Sequence, residues 1–171
     1  KFCPLGQSSF TYPRVNCTPG PLGTYDSLAV NNGSHLHSGI GDFLYAQPGW
    51  YAPAGCLELK PCEVGKYSAV KGSSYCNPCP SGKHTLTLTQ ATTCVDATTG
   101  HYAINGRRRP CPPTTYNDEL GRSFCKQCPE GTYSMHRHSV NCSVARPGHF
   151  ATKGKEYACE KGKYTSNFGA N

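Results

Sequence analysis

Cys62-Glu-Val-Gly65-Lys-Tyr67-Ser68, Cys128-Pro-Glu-Gly131-Thr-Tyr133-Ser134 and Cys159-Glu-Lys-Gly162-Lys-Tyr164-Thr165 carry one pattern, Cys-x2-Gly-x-Tyr-Ser/Thr. Cys79-Pro-Ser-Gly82-Lys-His84 is a weaker copy. Working outward, Cys62, Cys76, Cys79 and Cys94 recur as Cys111, Cys125, Cys128 and Cys142 at offsets of 49, 49, 49 and 48, and Cys111 recurs as Cys159 at 48. A register kept this well marks a repeat architecture, in which each unit buries its face on its neighbours. A second pattern, Cys-x5-Gly-x-aromatic, follows Cys17 (Gly23, Tyr25), Cys94 (Gly100, Tyr102) and Cys142 (Gly148, Phe150). Gly49-Trp50-Tyr51 is the same element, displaced by an insertion. Each copy therefore reads as two half-units of roughly 24 residues.

The pattern has a simple physical reading. Glycine takes φ > 0 and turns the chain just after the cysteine. The aromatic two residues on lies on one face of an extended segment, where it covers a disulfide or the next repeat. Trp50, Tyr51, Tyr67, Tyr102, Tyr133, Phe150 and Tyr164 are assigned to this packing. Thr85-Leu86-Thr87-Leu88-Thr89 alternates as a half-buried strand does. No helical period is found. The expected fold is small and disulfide-rich, with tandem short strands and turns in an elongated rod and little or no helix.

Composition points the same way. Leu, Ile, Val and Phe number 25 of 171 residues, too few for an ordinary apolar core. The 19 glycines and 14 prolines favour turns, which leaves the 12 cysteines to hold the chain. Disulfides persist in oxidising compartments, so the expected location is extracellular or at the cell surface. Three Asn-x-Ser/Thr sequons, at Asn16, Asn32 and Asn141, agree. No leader precedes Lys1, so a signal peptide is expected to be removed or to lie further upstream. No run of 18 apolar residues spans a membrane. The net charge of +7 reads first as a solvated surface and second as attraction to acidic glycans. Its tightest cluster, Arg107-Arg108-Arg109 before Pro110, reads as a loop. Without interleaved aromatics it does not point to nucleic acid.

Cys-Pro-x-Gly-Thr-Tyr-Ser, a cysteine 14 residues on, then Cys-x2-Cys and a fresh copy resembles the cysteine-rich repeats of ephrin-receptor type. It is also similar to the first module of tumour necrosis factor receptor repeats. The likeness covers about residues 56–171 well and 1–25 loosely. It divides the chain into a partial repeat (1–25), an insertion with the Asn32 sequon and an extra cysteine (26–56), two copies (57–105 and 106–154) and the start of a truncated further copy (155–171). In that family the first cysteine of a loop bonds the one about 14 residues later. The resemblance thus implies Cys62–Cys76, Cys79–Cys94, Cys111–Cys125 and Cys128–Cys142, and Cys3–Cys17 fits the same loop. Cys56 has no counterpart, and the partner position of Cys159 falls near 173, beyond Asn171. Both are expected unpaired or bonded outside this segment.

Other chemistry is weaker. The Cys76/Cys79 and Cys125/Cys128 pairs are 45 residues apart, too far for a four-cysteine zinc site. His35/His37 and His136/His138 are spaced to share a strand face, but exposed loop histidines are the commoner case. No phosphate-binding loop, redox-pair context or paired acid and base is found, so no metal, cofactor or catalysis is expected. The function this supports is a non-catalytic structural or adhesive extracellular protein, with protein partners that include further copies of itself or adjoining repeats. The alternative is the ligand-binding ectodomain of a receptor. Glycans are predicted on Asn32 and Asn141. Asn16 precedes a bridge cysteine, as Asn141 does, and rapid closure of the bridge competes with modification of either site. Intact mass before and after glycosidase treatment checks this, and loss of no sugar mass contradicts it.

Overall fold

A four-residue β-turn with its third residue at positive φ recurs through the computed structural model, which describes residues 7–8, 18–26, 43–56 and 58–171. The amides of Thr24, Trp50, Lys66, Lys83, His101, Thr115, Thr132, His149 and Lys163 each donate to the carbonyl three residues earlier. In eight of these nine turns the third residue is glycine, with φ between 73 and 84°; in the ninth it is Thr114, at 76°. Such φ values fit the type II turn, which needs φ > 0 at its third residue and favours proline at its second. Pro48, Pro113 and Pro147 occupy that second position.

Each turn but the one at Gly162 opens an antiparallel hairpin that returns just before the next turn. Trp50–Tyr51 pairs with Lys60–Pro61, Lys66–Tyr67 with Asn77–Pro78, and Lys83–His84 with Val95–Asp96. Thr115–Tyr116 pairs with Lys126–Gln127 and Thr132–Tyr133 with Ser143–Val144. Longer pairs join His101–Ile104 to Arg107–Pro110 and His149–Thr152 to Lys155–Ala158. There is no helix among the described residues. The chain forms two compact units, Lys1–Pro78 with Thr85–Cys94, and Cys79–His84 with Val95–Asn171. The first holds the turns of Gly23, Gly49 and Gly65; the second holds the other six.

The core is a file of small side chains. The residue before a turn is buried at Ala46, Cys62, Ala97, Cys111, Cys128 and Ala145. The second residue after a turn is buried at Ala52, Ser68, Thr85, Ala103, Asn117, Ser134 and Ala151. The largest fully buried side chains are Asn117, Cys62, Cys111 and Ser68. So little apolar area is buried that order must come from backbone hydrogen bonds and cross-links.

Those backbone bonds run from turn to turn inside each unit. The amide of the turn's third residue donates to the buried position of the next turn: Gly23 to Ala52, Gly49 to Ser68, Gly82 to Ala103, Gly100 to Asn117, Thr114 to Ser134 and Gly131 to Ala151. Within the first unit the Gly65 amide donates instead to a side chain, the Thr85 hydroxyl, at 3.2 Å. The third residue's carbonyl in turn accepts from the residue before the next turn, as Gly49 does from the Cys62 amide and Gly100 from the Cys111 amide.

Three sequence expectations change. Each copy holds three turns, not two half-units, because Ala97 and Ala145 take the place that Cys111 and Cys128 take elsewhere. Residues 85–89 are not a strand. Thr85 is buried at its turn position, and Leu86 and Leu88 stand 78% and 80% exposed in the loop beyond it. Arg107–Pro110 is a strand rather than a loop, because Asn105 (φ 51°) and Gly106 (φ 67°) close a two-residue hairpin before it.

Gly100 and Gly148 stand at the same place in successive copies, with φ of 73° and 76°. A Cβ on Gly100 would lie 2.3 Å from the His138 carbonyl oxygen, whereas on Gly148 it would meet nothing within 4 Å. Both alanine variants carry the cost of a left-handed residue, about 1–2 kcal/mol. Gly100→Ala is predicted to cost a further ~2 kcal/mol or more for the broken stack. Urea denaturation of the oxidised proteins measures the difference, and equal losses contradict the stacking described.

Candidate functional site

The cross-links come first, because they position every surface. Cys62–Cys76, Cys111–Cys125 and Cys128–Cys142 are bonded, with Cα separations of 5.7, 5.7 and 5.8 Å. Cys79 and Cys94 are disulfide-bonded too. Each of these three pairs ties the residue before a turn to the residue before that hairpin's return strand. Cys3 and Cys17 lie outside the described residues, as do Asn16, Asn32, His35 and His37. Cys56 and Cys159 are free and half-buried. The Cys56 thiol donates to the Glu58 carbonyl. Asn141 is exposed beside the Cys142 bridge.

The assigned aromatics Trp50, Tyr51, Tyr67, Tyr102, Tyr133 and Phe150 are all half-buried along the hairpins. Tyr164 differs at 88% exposed, because its turn has nothing stacked on it: a Cβ at Gly162 would meet no atom within 4 Å. Phe150 stacks on Tyr157 at 5.5 Å. Tyr157 then walls an open groove of 320 Å³ with Pro113, Met135 and the strained Thr114. A smaller groove of 160 Å³ in the first unit is lined by Tyr51, Glu63, Lys66 and Tyr75.

Charge is arranged in two places in the second unit. On the loop after Asn117, Lys126 Nζ lies 2.8 Å from Asp118 and 2.5 Å from Glu119, and Arg122 also pairs with Glu119. Hydrogen bonds from Lys126 hold the Asp118 and Glu119 carboxyls below their usual range, with Arg122 adding at Glu119. The same bonds, from Asp118 first, raise Lys126. The second place is the hairpin His101–Pro110, whose three arginines are exposed. His84 lies buried against it, with ring nitrogen Nδ1 lacking a partner. Burial first, then the charge of Arg108, holds the His84 ring below its ordinary pKa. The neutral ring therefore favours folding, and that contribution is lost as pH falls below the ordinary histidine value.

His136 and His138 do not share a strand face, because the chain there is a loop and His138 has φ of 66°. His138 instead lies 4.9 Å from the His101 ring. Among the described residues no three metal-ligating side chains come together. No helix there is long and apolar enough to cross a membrane. The histidine cluster and the Thr114 groove were missed from sequence, because both depend on which turns stack.

These features define a tandem cysteine-rich repeat module with open surfaces. Residues 100–144, which are one copy almost from turn to turn, match the family model described as tyrosine-protein kinase ephrin type A/B receptor-like. That family is a receptor-like cysteine-rich domain, not a catalytic one. No curated protein matches the chain.

Proposed function

We propose that this chain is a non-catalytic, secreted module whose disulfide-stapled repeats serve a structural or adhesive role, as a subunit or segment of a fibre. The observation that carries the reading is the backbone ladder within each unit, in which successive turns, as at Gly23 and Gly49 or at Gly82, Gly100, Thr114 and Gly131, offer the next one the same donor and acceptor. Such a ladder adds units without new chemistry. Cys159 occupies the repeat position of Cys111 yet is free, and Cys56 is free as well, which supports covalent linkage to further copies or adjoining repeats. The family match at 100–144 favours a second reading, the ligand-binding ectodomain of a cell-surface receptor.

Secretion into an oxidising medium followed by non-reducing electrophoresis separates the two. The fibre reading predicts disulfide-linked multimers that vanish with reductant and with Cys159→Ser. A strictly monomeric product with both thiols free contradicts it and leaves the receptor reading.

A further inference from the structure

The Arg107–Pro110 strand carries more charge than its fold requires. Arg107, Arg108 and Arg109 sit opposite Ile104, Ala103 and Tyr102 on a hairpin closed by Asn105-Gly106. All three are exposed, and none joins any of the ion pairs among the described residues. Charge on an edge strand often serves only to block edge-to-edge pairing. The next copy shows that this duty does not need three arginines. There the same hairpin positions are Lys155, Glu156 and Tyr157, opposite Thr152, Ala151 and Phe150. Glu156 is paired with Arg146, so that strand is largely neutralised.

The flank of the arginine strand is also basic. Arg108 shares a face with buried Ala103 and acts electrostatically on His84. His84 is 7% exposed and its Nδ1 has no hydrogen-bond partner. His101 acts on His84 in the same sense, and the His138 ring lies 4.9 Å from His101. The carboxylate on the hairpin of His84, Asp96, is taken by Lys83 at 2.7 Å. Among the described residues no carboxylate pairs with the three arginines, and a buried polar atom is left without a partner beside them.

We infer that the Arg107–Arg109 strand and the His84 flank form a binding site for a sulfated, glycosaminoglycan-type polysaccharide. Guanidinium groups bind sulfate and carboxylate oxygens in bidentate fashion. Arg107 and Arg109 lie on one face of the strand, about 6.6 Å apart, and Arg108 on the other beside His84, so an extended polyanion that follows the exposed strand edge meets charge from both faces. Nucleobases would need exposed aromatic platforms, and Tyr102 on this hairpin is half-buried. Burial and Arg108 hold His84 below its ordinary pKa, so acid strong enough to charge that ring adds a cation beside Arg108 and strengthens the site.

The test uses the full oxidised chain and a labelled short heparin oligosaccharide. The key variant exchanges three residues for those of the next copy, Arg107→Lys, Arg108→Glu and Arg109→Tyr together, a set the same hairpin already accepts. Affinity is expected to fall about tenfold or more, and the slope of log affinity against log salt to fall by about two. A control removing equal charge elsewhere, Lys66→Gln with Lys161→Gln and Lys163→Gln, is expected to change affinity less than about twofold. Lowering the pH from about 8 to about 5 is expected to tighten binding to the unmodified chain. Equal losses in the exchange and the control overturn the site, since binding would then follow net charge alone. Desulfated heparin or a single-stranded oligonucleotide binding as tightly overturns the ligand class. Affinity unchanged by pH overturns the part given to His84.

Discussion

A turn amide that must point away from its own hairpin is the constraint on which the rest depends. With φ near +80° at its third residue, a turn aims that residue's N–H away from its own hairpin, at a carbonyl of the next turn or, at Gly65, at the Thr85 hydroxyl. The approach leaves no room for a side chain. At Gly82 a Cβ would lie 1.8 Å from the Gly121 oxygen. Backbones this close also demand small neighbours, which is why alanine, serine and cysteine fill the interior. Thr114 is the exception, holding a β-branched residue at φ 76°, and it lines the larger groove.

The hairpins are held in two ways. Where cysteine precedes the turn, the strands are two residues long and a disulfide closes the loop, as at Cys111–Cys125 and Cys128–Cys142. At Ala97 and Ala145, where alanine takes the cysteine's place, the strands run to four residues and a two-residue turn with both φ positive closes them. Extra ladder bonds there take over the task of the missing bridge. Closing a loop of 14 residues contributes about 3 kcal/mol in the chain-entropy treatment. Several such loops match the roughly 5–15 kcal/mol that keeps an ordinary domain folded.

Much of this was legible in the sequence, and the reason is the repeat. Cysteine offsets of 48 and 49 carry the register, and the Gly-x-aromatic spacing carries the turn. The turns at Gly100 and Gly148 were visible as Gly-x-aromatic, but their standing as a separate third turn was hidden because Ala97 and Ala145 do not look like Cys111. Aligning residues three places before each Gly-x-aromatic would have exposed it. The Thr85–Thr89 alternation misled for a different reason. Periodicity records which side chains share a face, but not which face is covered, and here the threonine at the buried turn position decides. The cluster of His84, His101, His138 and Arg108 was unreadable, since it joins residues from three separate turns.

Function follows from the same economy. A ladder that spends its interior on small residues leaves loops and hairpin tips free to vary, so one copy presents three arginines where the next presents Lys155, Glu156 and Tyr157. Specific surfaces are thereby placed on a constant frame. The most direct test of that frame is amide hydrogen exchange, read residue by residue, on the oxidised protein. The turn amides of Gly49, Gly82, Gly100 and Gly131 should exchange as slowly as those of the paired strands, and protection should be lost when the bridges are reduced. Exchange of these four amides at the rate of an unprotected loop would contradict the account.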